Sequence, residues 1–483
     1  MKVRSGQAPS RKAAASAQKN PFLLANFCSE SIFFVSLPSL TLLIMARIFY
    51  TLIMIAAALT ASAKYTTIAD TLRASRIFPG TSHAFTITVP DNYSPDRPAA
   101  LYLSLDGELC NAPAVIDSLT TAGIMPITIG LYLQPGIITA NDGTVLRYNR
   151  SNEFDNTSDR FARFLDSELL PTIEALSTPD GRPIRLSANP SDRMIAGLSS
   201  GGICAFVTAW HRPDLFARVF SGCGTFVAMR GGNDLEAIVR KHQPKPLRIF
   251  LQDGFDDVWN PLFGHWYEHN RLLASALEFA GYDCRFDWAE GGHSMRRATE
   301  IFTEMMTWIW RDYPTPITAS SSANSTLHPL LIPGEQWQAS QGSFSPHPKL
   351  KATYPDGSIM AGVLDNPNHL YQWILDNEGN KHYGQAFYWL HSYDNAPLTV
   401  ASLAFDSDGN LWTLTSAGIQ ICDQNGRVRA ILSLPQGLNL MMPAEMALAD
   451  HLLIITTETY RYTLKINVIP PTKGTRPASQ GQG

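Results

Sequence analysis

Two short stretches carry the residues best suited to chemistry. One is a serine between glycines, Gly197-Leu198-Ser199-Ser200-Gly201; the other is a histidine on a glycine-rich stretch, Glu290-Gly291-Gly292-His293-Ser294. The first reads G-x-S-x-G, a pattern short enough to arise by chance, so its weight comes from its flanks. Met194-Ile195-Ala196 reads as a short buried strand before it, and the small residues of 202–210 read as a helix after it. A nucleophilic serine needs that setting, because it sits on a strained strand-to-helix turn whose neighbours must be small. The helix N-terminus also favours negative charge developing at the reacting oxygen. A serine hydroxyl is a weak nucleophile, so it needs a base, and the base needs an orienting group. His293 is the expected base. Asp253-Gly254-Phe255-Asp256-Asp257 follows an apolar strand at 247–251, which makes Asp253, Asp256 and Asp257 the candidate acids.

The chain order serine, acid, histidine is that of α/β-hydrolases. Such a site also needs N–H donors for the oxyanion of the tetrahedral intermediate. Ser200 N–H is one. The other is expected at Gly107 or Glu108, where the strand 99–105 ends in Asp106-Gly107. The elements that position these groups are an alternating strand at 84–89 and buried strands at 99–105, 125–131, 194–196, 217–220 and 247–251, with a last strand at 285–288. Helix-like stretches lie between them. Ser158 heads a helix with apolar face Phe161, Phe164, Leu165, Leu169 and Ile173, and 271–279 is a helix stopped by Gly281. Strands alternating with helices predict an α/β fold, a mostly parallel sheet covered on both faces.

After Pro314 the pattern changes. Residues 315–327 are rich in Ser, Ala and Thr and read as a linker. Beyond them, strands are separated by tight turns at Pro355-Asp356-Gly357, Asn377-Glu378-Gly379, Asp408-Gly409-Asn410 and Gln424-Asn425-Gly426, an antiparallel all-β pattern. Residues 471–483 read as a disordered tail. At the other end, Arg47, the apolar run 48–59 and Ala61-Ser62-Ala63 fit a cleaved signal peptide. Met45 is then the expected true start, and residues 1–63 an upstream extension plus leader. Neither this run nor the earlier apolar run 32–45 reaches the ~20 residues that span a bilayer, so a periplasmic or secreted protein with no stable membrane span is expected. The net charge of −4, without a basic stripe, excludes a nucleic-acid partner. Apart from Cys28, the cysteines Cys110, Cys204, Cys223, Cys284 and Cys422 have no C-x-x-C spacing, so no metal or cofactor is expected. Export would allow some of them to pair.

From residue 82 to 314 the chain resembles the enterochelin-esterase family, relatives of feruloyl and acetylxylan esterases. The resemblance rests on Leu105-Asp106-Gly107-Glu108, Arg150-Ser151-Asn152-Glu153-Phe154-Asp155, Gly197-Leu198-Ser199-Ser200-Gly201-Gly202, Leu251-Gln252-Asp253-Gly254 and Gly291-Gly292-His293. It implies Ser199 as nucleophile, His293 as base and Asp257 as acid, because the family's acid follows that glycine turn by three residues. It also implies substrate-positioning roles for Arg150, Glu153 and Asp155. The C-terminal part resembles the senescence-marker-protein/gluconolactonase propellers through Gly334-Glu335-Gln336-Trp337, Tyr354-Pro355-Asp356-Gly357 and Asp408-Gly409-Asn410-Leu411-Trp412. At ~40–45 residues per four-stranded blade, residues 328–470 make only a partial propeller. The family's metal-binding Asp is replaced by Ala401, which argues against a lactonase site. The expectation is therefore an esterase domain at 64–314 followed by a partial propeller. It would act on acyl esters of plant polysaccharides or on siderophore-type esters. A metal-dependent sugar lactonase and a non-catalytic sugar-binding protein are the competing readings.

Overall fold

Five apolar runs become buried strands of one sheet, because strands covered by helices on both faces must be apolar throughout. The computed structural model describes residues 65–470, which lie within one compact unit. The expectations for residues 1–63, for Cys28 and for the tail 471–483 fall outside the described residues. The sheet contains β1 (Tyr65–Leu72), β2 (His83–Pro90), β3 (Ala100–Leu105), β4 (Thr128–Leu133), β5 (Arg193–Leu198), β6 (Arg218–Gly222), β7 (Arg248–Gly254) and β8 (Asp283–Ala289). They are ordered β1-β2-β4-β3-β5-β6-β7-β8. The strands β3 to β8 run parallel to one another, and β2 runs antiparallel to both of its neighbours, β1 and β4. This is a mixed α/β fold with a large, mostly parallel sheet, as the alternating pattern predicts.

The helices that flank the sheet include α1 (Ala112–Thr121), α2 (Ser200–His211), α3 (Leu235–Lys241), α4 (Trp266–Ala280) and α5 (Arg296–Ile309). Gly281 ends α4 with φ 80°, a left-handed cap that glycine adopts without penalty. The face Phe161, Phe164, Leu165, Leu169 and Ile173 is buried as expected, but the helix carrying it passes through a π-turn at Leu165–Leu169. The Ser158 hydroxyl accepts the Arg160 N–H at 3.4 Å. None of the five described cysteines is disulfide-bonded.

The C-terminal residues form three four-stranded antiparallel sheets. One contains β10 (Lys351–Thr353), β11 (Ile359–Gly362), β12 (His369–Leu375) and β13 (Lys381–Trp389), and the next β14 (Val400–Phe405), β15 (Leu411–Thr415), β16 (Gly418–Cys422) and β17 (Val428–Leu432). The last combines β18 (Glu445–Ala449), β19 (Leu452–Thr456) and β20 (Tyr460–Lys465) with β9 (Gln338–Gln341), so the first strand of this region completes its final sheet. The expected turns carry glycines in the left-handed region, as at Gly357 (φ 77°) and Gly409 (φ 79°). The three sheets do not make a closed propeller.

The β-sheet region is stitched to the α/β part by polar and aromatic contacts. Asn324, in the Ser-rich stretch, donates to the carbonyls of Arg240 (3.1 Å) and Arg429 (2.9 Å). Lys241 Nζ donates to His391 Nε2 at 2.7 Å. The Tyr393 ring packs edge-on against His211, with centroids 4.6 Å apart, and its hydroxyl donates to His242 Nε2 at 3.4 Å. Asn156 donates to the Asp394 carboxylate at 2.7 Å, and Asp394 N–H donates to the Thr157 hydroxyl at 2.7 Å. His242 donates through Nδ1 to the Ile238 carbonyl, so its Nε2 is the accepting nitrogen of a neutral ring. His391 likewise accepts at Nε2. Burial, then the neighbouring lysine charge, pushes His211 and His391 down to about 4. Burial also holds His242 well below the usual histidine range.

Candidate active site

Ser199 occupies the turn between β5 and α2 with φ 59° and ψ −123°, a conformation that costs a residue with a side chain about 1–3 kcal/mol. The surroundings hold it there. Its N–H donates to the Gly222 carbonyl at 2.9 Å, and its own carbonyl accepts from Gly202, Ile203 and Thr225 N–H. The glycines of the motif have a steric reason. A Cβ on Gly197 would lie 2.3 Å from the Gly201 backbone, and one on Gly201 would lie 3.0 Å from the Asp106 carboxylate. Gly197 must therefore be glycine for the turn to close, and a Cβ on Gly201 would press on the Asp106 carboxylate.

His293 and Asp257 converge on this serine. The Ser199 hydroxyl donates to His293 Nε2 at 2.8 Å. His293 Nδ1–H donates to the Asp257 carboxylate at 2.8 Å and 3.0 Å to its two oxygens. The donor at Nδ1 leaves Nε2 free to accept, the tautomer a base toward Ser199 requires. The His293 side chain is 28% exposed and that of Asp257 wholly buried. Burial pushes the Asp257 carboxyl up, but hydrogen bonds from His293, Asp253 and the Val258 N–H outweigh it and hold the group below the usual carboxylate range. The Trp266 indole meets the His293 ring edge-on at 5.9 Å.

Of the three candidate acids, only Asp257 bonds to His293. Asp256 is exposed on the same loop, and Asp253 is buried behind Asp257. The Ser200 N–H belongs to the first turn of α2, where backbone donors have no partner within the helix. Gly107 does not fit the oxyanion role, because its N–H is already donated to the Leu133 carbonyl at 3.0 Å. Glu108, one residue on, is the remaining donor of that turn.

The three groups expected to position substrate are all committed elsewhere. Glu153 is wholly buried and accepts from His83 Nε2 (3.1 Å), Asn149 (2.6 Å) and the Gly136 N–H (3.0 Å), so it ties the fold together out of reach of substrate. Asp155 is also buried and accepts from the Ser151 hydroxyl at 2.6 Å. Arg150 makes two parallel bonds to Asp106 at 2.6 Å and 2.7 Å, which fixes the strand end leading into the Gly107-Glu108 turn.

Sequence reasoning missed Thr225, whose hydroxyl lies 3.4 Å from Ser199 Oγ and accepts from the Trp266 indole at 3.3 Å. It also missed Cys223, whose Sγ lies within 4.8 Å of ligand-type atoms of Asp257 and His293. Those three are the one metal-capable cluster among the described residues. Burial pushes the Cys223 thiol up, and both His293 nitrogens are bonded, to Ser199 and to Asp257.

Residues 78–309 match the family model described as "Putative esterase". No curated protein sequence matches the chain. Among solved structures, a ferulic acid esterase is similar at 18% identity and TM-score 0.39, over 52% of this chain and 99% of its own. The enterobactin esterase of Shigella flexneri is similar at 20% identity and TM-score 0.39, over 51% of this chain and 59% of its own. A fluorophosphonate-binding serine hydrolase of Staphylococcus aureus is similar at 13% identity and TM-score 0.36, over 51% of this chain and 99% of its own. The family match spans β2 to β8, the serine turn and the histidine loop, and the protein is a carboxylic ester hydrolase.

Proposed function

We propose that the enzyme cleaves carboxylic esters through an acyl-enzyme on Ser199, with His293 as general base and acid and Asp257 as its orienting carboxylate. The observation that carries this reading is the unbroken line of hydrogen bonds from Ser199 Oγ through both His293 nitrogens to Asp257. As Ser199 Oγ attacks the ester carbonyl, its proton passes to His293 Nε2, and the Asp257 carboxylate stabilises the imidazolium. The oxyanion is held by the N–H groups of Ser200 and Glu108. Collapse expels the alcohol, which takes the proton from His293, and water activated by the same nitrogen then releases the acid.

The proposed substrates are acyl esters, feruloyl or acetyl, on plant polysaccharides, with siderophore-type esters as the alternative. A cavity of about 370 Å³ adjoins the Gly107-Glu108 turn, lined by Phe85 and Tyr132 as well as Asp70, Thr86 and Gln134. We read the three C-terminal sheets as blades of a truncated gluconolactonase-like propeller, joined through residues 315–327, and the protein as an exported enzyme. The test is hydrolysis of p-nitrophenyl acetate and methyl ferulate by residues 64–483. The Ser199→Ala variant is expected to lose both activities; equal activity in the variant would end this reading.

A further inference from the structure

Asp253, the penultimate residue of β7, is wholly buried four positions before Asp257. Its two oxygens accept from the Gly254 N–H at 2.8 Å and from Asn270 Nδ2 at 2.9 Å, and the turn closed by Asp257 N–H on the Gly254 carbonyl at 3.1 Å sets the Asp257 carboxyl against it. Two carboxyl groups share a hydrogen bond only when one of them holds a proton. Asp257 accepts from His293 Nδ1–H and from the Val258 N–H, contacts that favour its charged form. Asp253 accepts only from the uncharged N–H groups of Gly254 and Asn270, not from a group that can carry a positive charge. The groups that face it are Asp257 on the following loop, the uncharged Asn270 on α4 and the Cys223 thiol on the loop after β6. The histidine of this cluster, His293, is bonded to Asp257. An ionised carboxylate there would be a second buried negative charge without a counter-ion, which is costly.

We propose that Asp253 is a neutral carboxylic acid that donates its O–H to Asp257, a positioning residue that aims the Asp257 carboxylate at His293. The shift expected for such a group agrees, since burial and then the neighbouring Asp257 push Asp253 far above the usual carboxyl range. The inference rests on Asp257 orienting the base of the esterase. It goes further by making the acid a pair that shares one proton.

The experiment compares Asp253→Leu, which removes the donor, with Asp253→Asn, which keeps one. In Asp253→Leu, Asp257 loses a donor and becomes more basic, so it holds the His293 imidazolium more firmly. The acid limb of the kcat/KM–pH profile is expected to move up by about one unit. kcat is expected to fall roughly 10–100-fold, with KM little changed, as for a misplaced catalytic group. Asp253→Asn is expected to rescue both. Infrared difference spectra at pH 7 should show the carbonyl band of a protonated carboxylic acid in the wild type and its loss in Asp253→Asn, a readout that needs no turnover. The proposal is overturned if that band is missing, or if Asp253→Leu matches the wild type. It is also overturned if Asp253→Asn moves the acid limb down by a unit or more, as removal of a negative charge would. If Asp253→Leu does not fold, the infrared band and Asp253→Asn decide. If Ser199→Ala keeps its activity, the esterase mechanism fails and the infrared band alone judges the pair.

Discussion

The junction between the α/β part and the β-sheet region should be the acid-sensitive part of this molecule, and His391 is the place to perturb it. His211 and His391 are held neutral in the fold, pushed down to about 4 by burial and the adjacent lysine charges. Unfolded, each titrates near 6.5. Between those values the unfolded chain binds a proton that the folded chain does not. Their contribution is therefore fully present above about pH 6.5 and is lost as pH falls toward 4. Full linkage would cost each group about 2 kcal/mol at pH 5. Both rings are partly exposed, and screening reduces this to about 1 kcal/mol each. His242 adds to the loss in the same direction. The wild type is thus expected to lose about 2–3 kcal/mol between pH 7 and pH 5 through these groups. His391→Gln keeps an oxygen to accept from Lys241 but does not titrate, so its loss over the same interval should be smaller by about 1 kcal/mol. Urea unfolding followed by tryptophan fluorescence at pH 7, 6 and 5 measures both. An identical fall in the two proteins, or a wild type whose stability stays level to pH 5, would refute the reasoning.

Asp257→Asn should lower kcat by roughly 10³–10⁴-fold while leaving the fold intact, because the amide no longer fixes the His293 tautomer; steady-state kinetics with p-nitrophenyl acetate and circular dichroism check this together. Gly197→Ala would set a methyl group 2.3 Å from the Gly201 backbone. The strain, about 1–3 kcal/mol, should appear as a lower Tm and slower labelling of Ser199 by a fluorophosphonate. Arg150→Gln breaks the paired bonds to Asp106, whose φ is 66° at the entrance to the Gly107-Glu108 turn. Arg150 is 38% exposed, so the stability cost should stay below about 1 kcal/mol, and kcat should fall more than KM changes.

The parts of the fold legible in the sequence were those whose signals are local. The strands β3 and β7 are unbroken apolar runs, Gly281 marks the end of α4, and the serine turn announces itself through glycines that must pack backbone against backbone. The helix α5 buries Ala298, Ile301, Phe302, Met305, Met306 and Ile309, a spacing that was present in the sequence and went unread. Burial of charged groups was not legible. Arg150, Glu153 and Asp155 sit within six residues, and nothing local distinguishes a wholly buried Glu153 from a group facing substrate. Its partner His83 lies seventy positions away. Asp253, Asp256 and Asp257 could not be ranked from the residues alone, because only the path of the loop decides which carboxylate meets His293. The occupied N–H of Gly107 is likewise a fact of pairing with β4. The contacts of Tyr393 and Asp394 join segments more than a hundred residues apart, beyond any periodic signal.

The central claim is that the ester's acyl group is carried on Ser199. Rapid quenching of the enzyme during p-nitrophenyl acetate turnover, followed by peptide mass mapping, measures this directly. The account predicts a burst of p-nitrophenol and an acetyl adduct on the peptide containing Gly197-Leu198-Ser199-Ser200-Gly201, both absent in Ser199→Ala. Turnover without an adduct on that peptide, or an adduct on another residue that survives in Ser199→Ala, would contradict it.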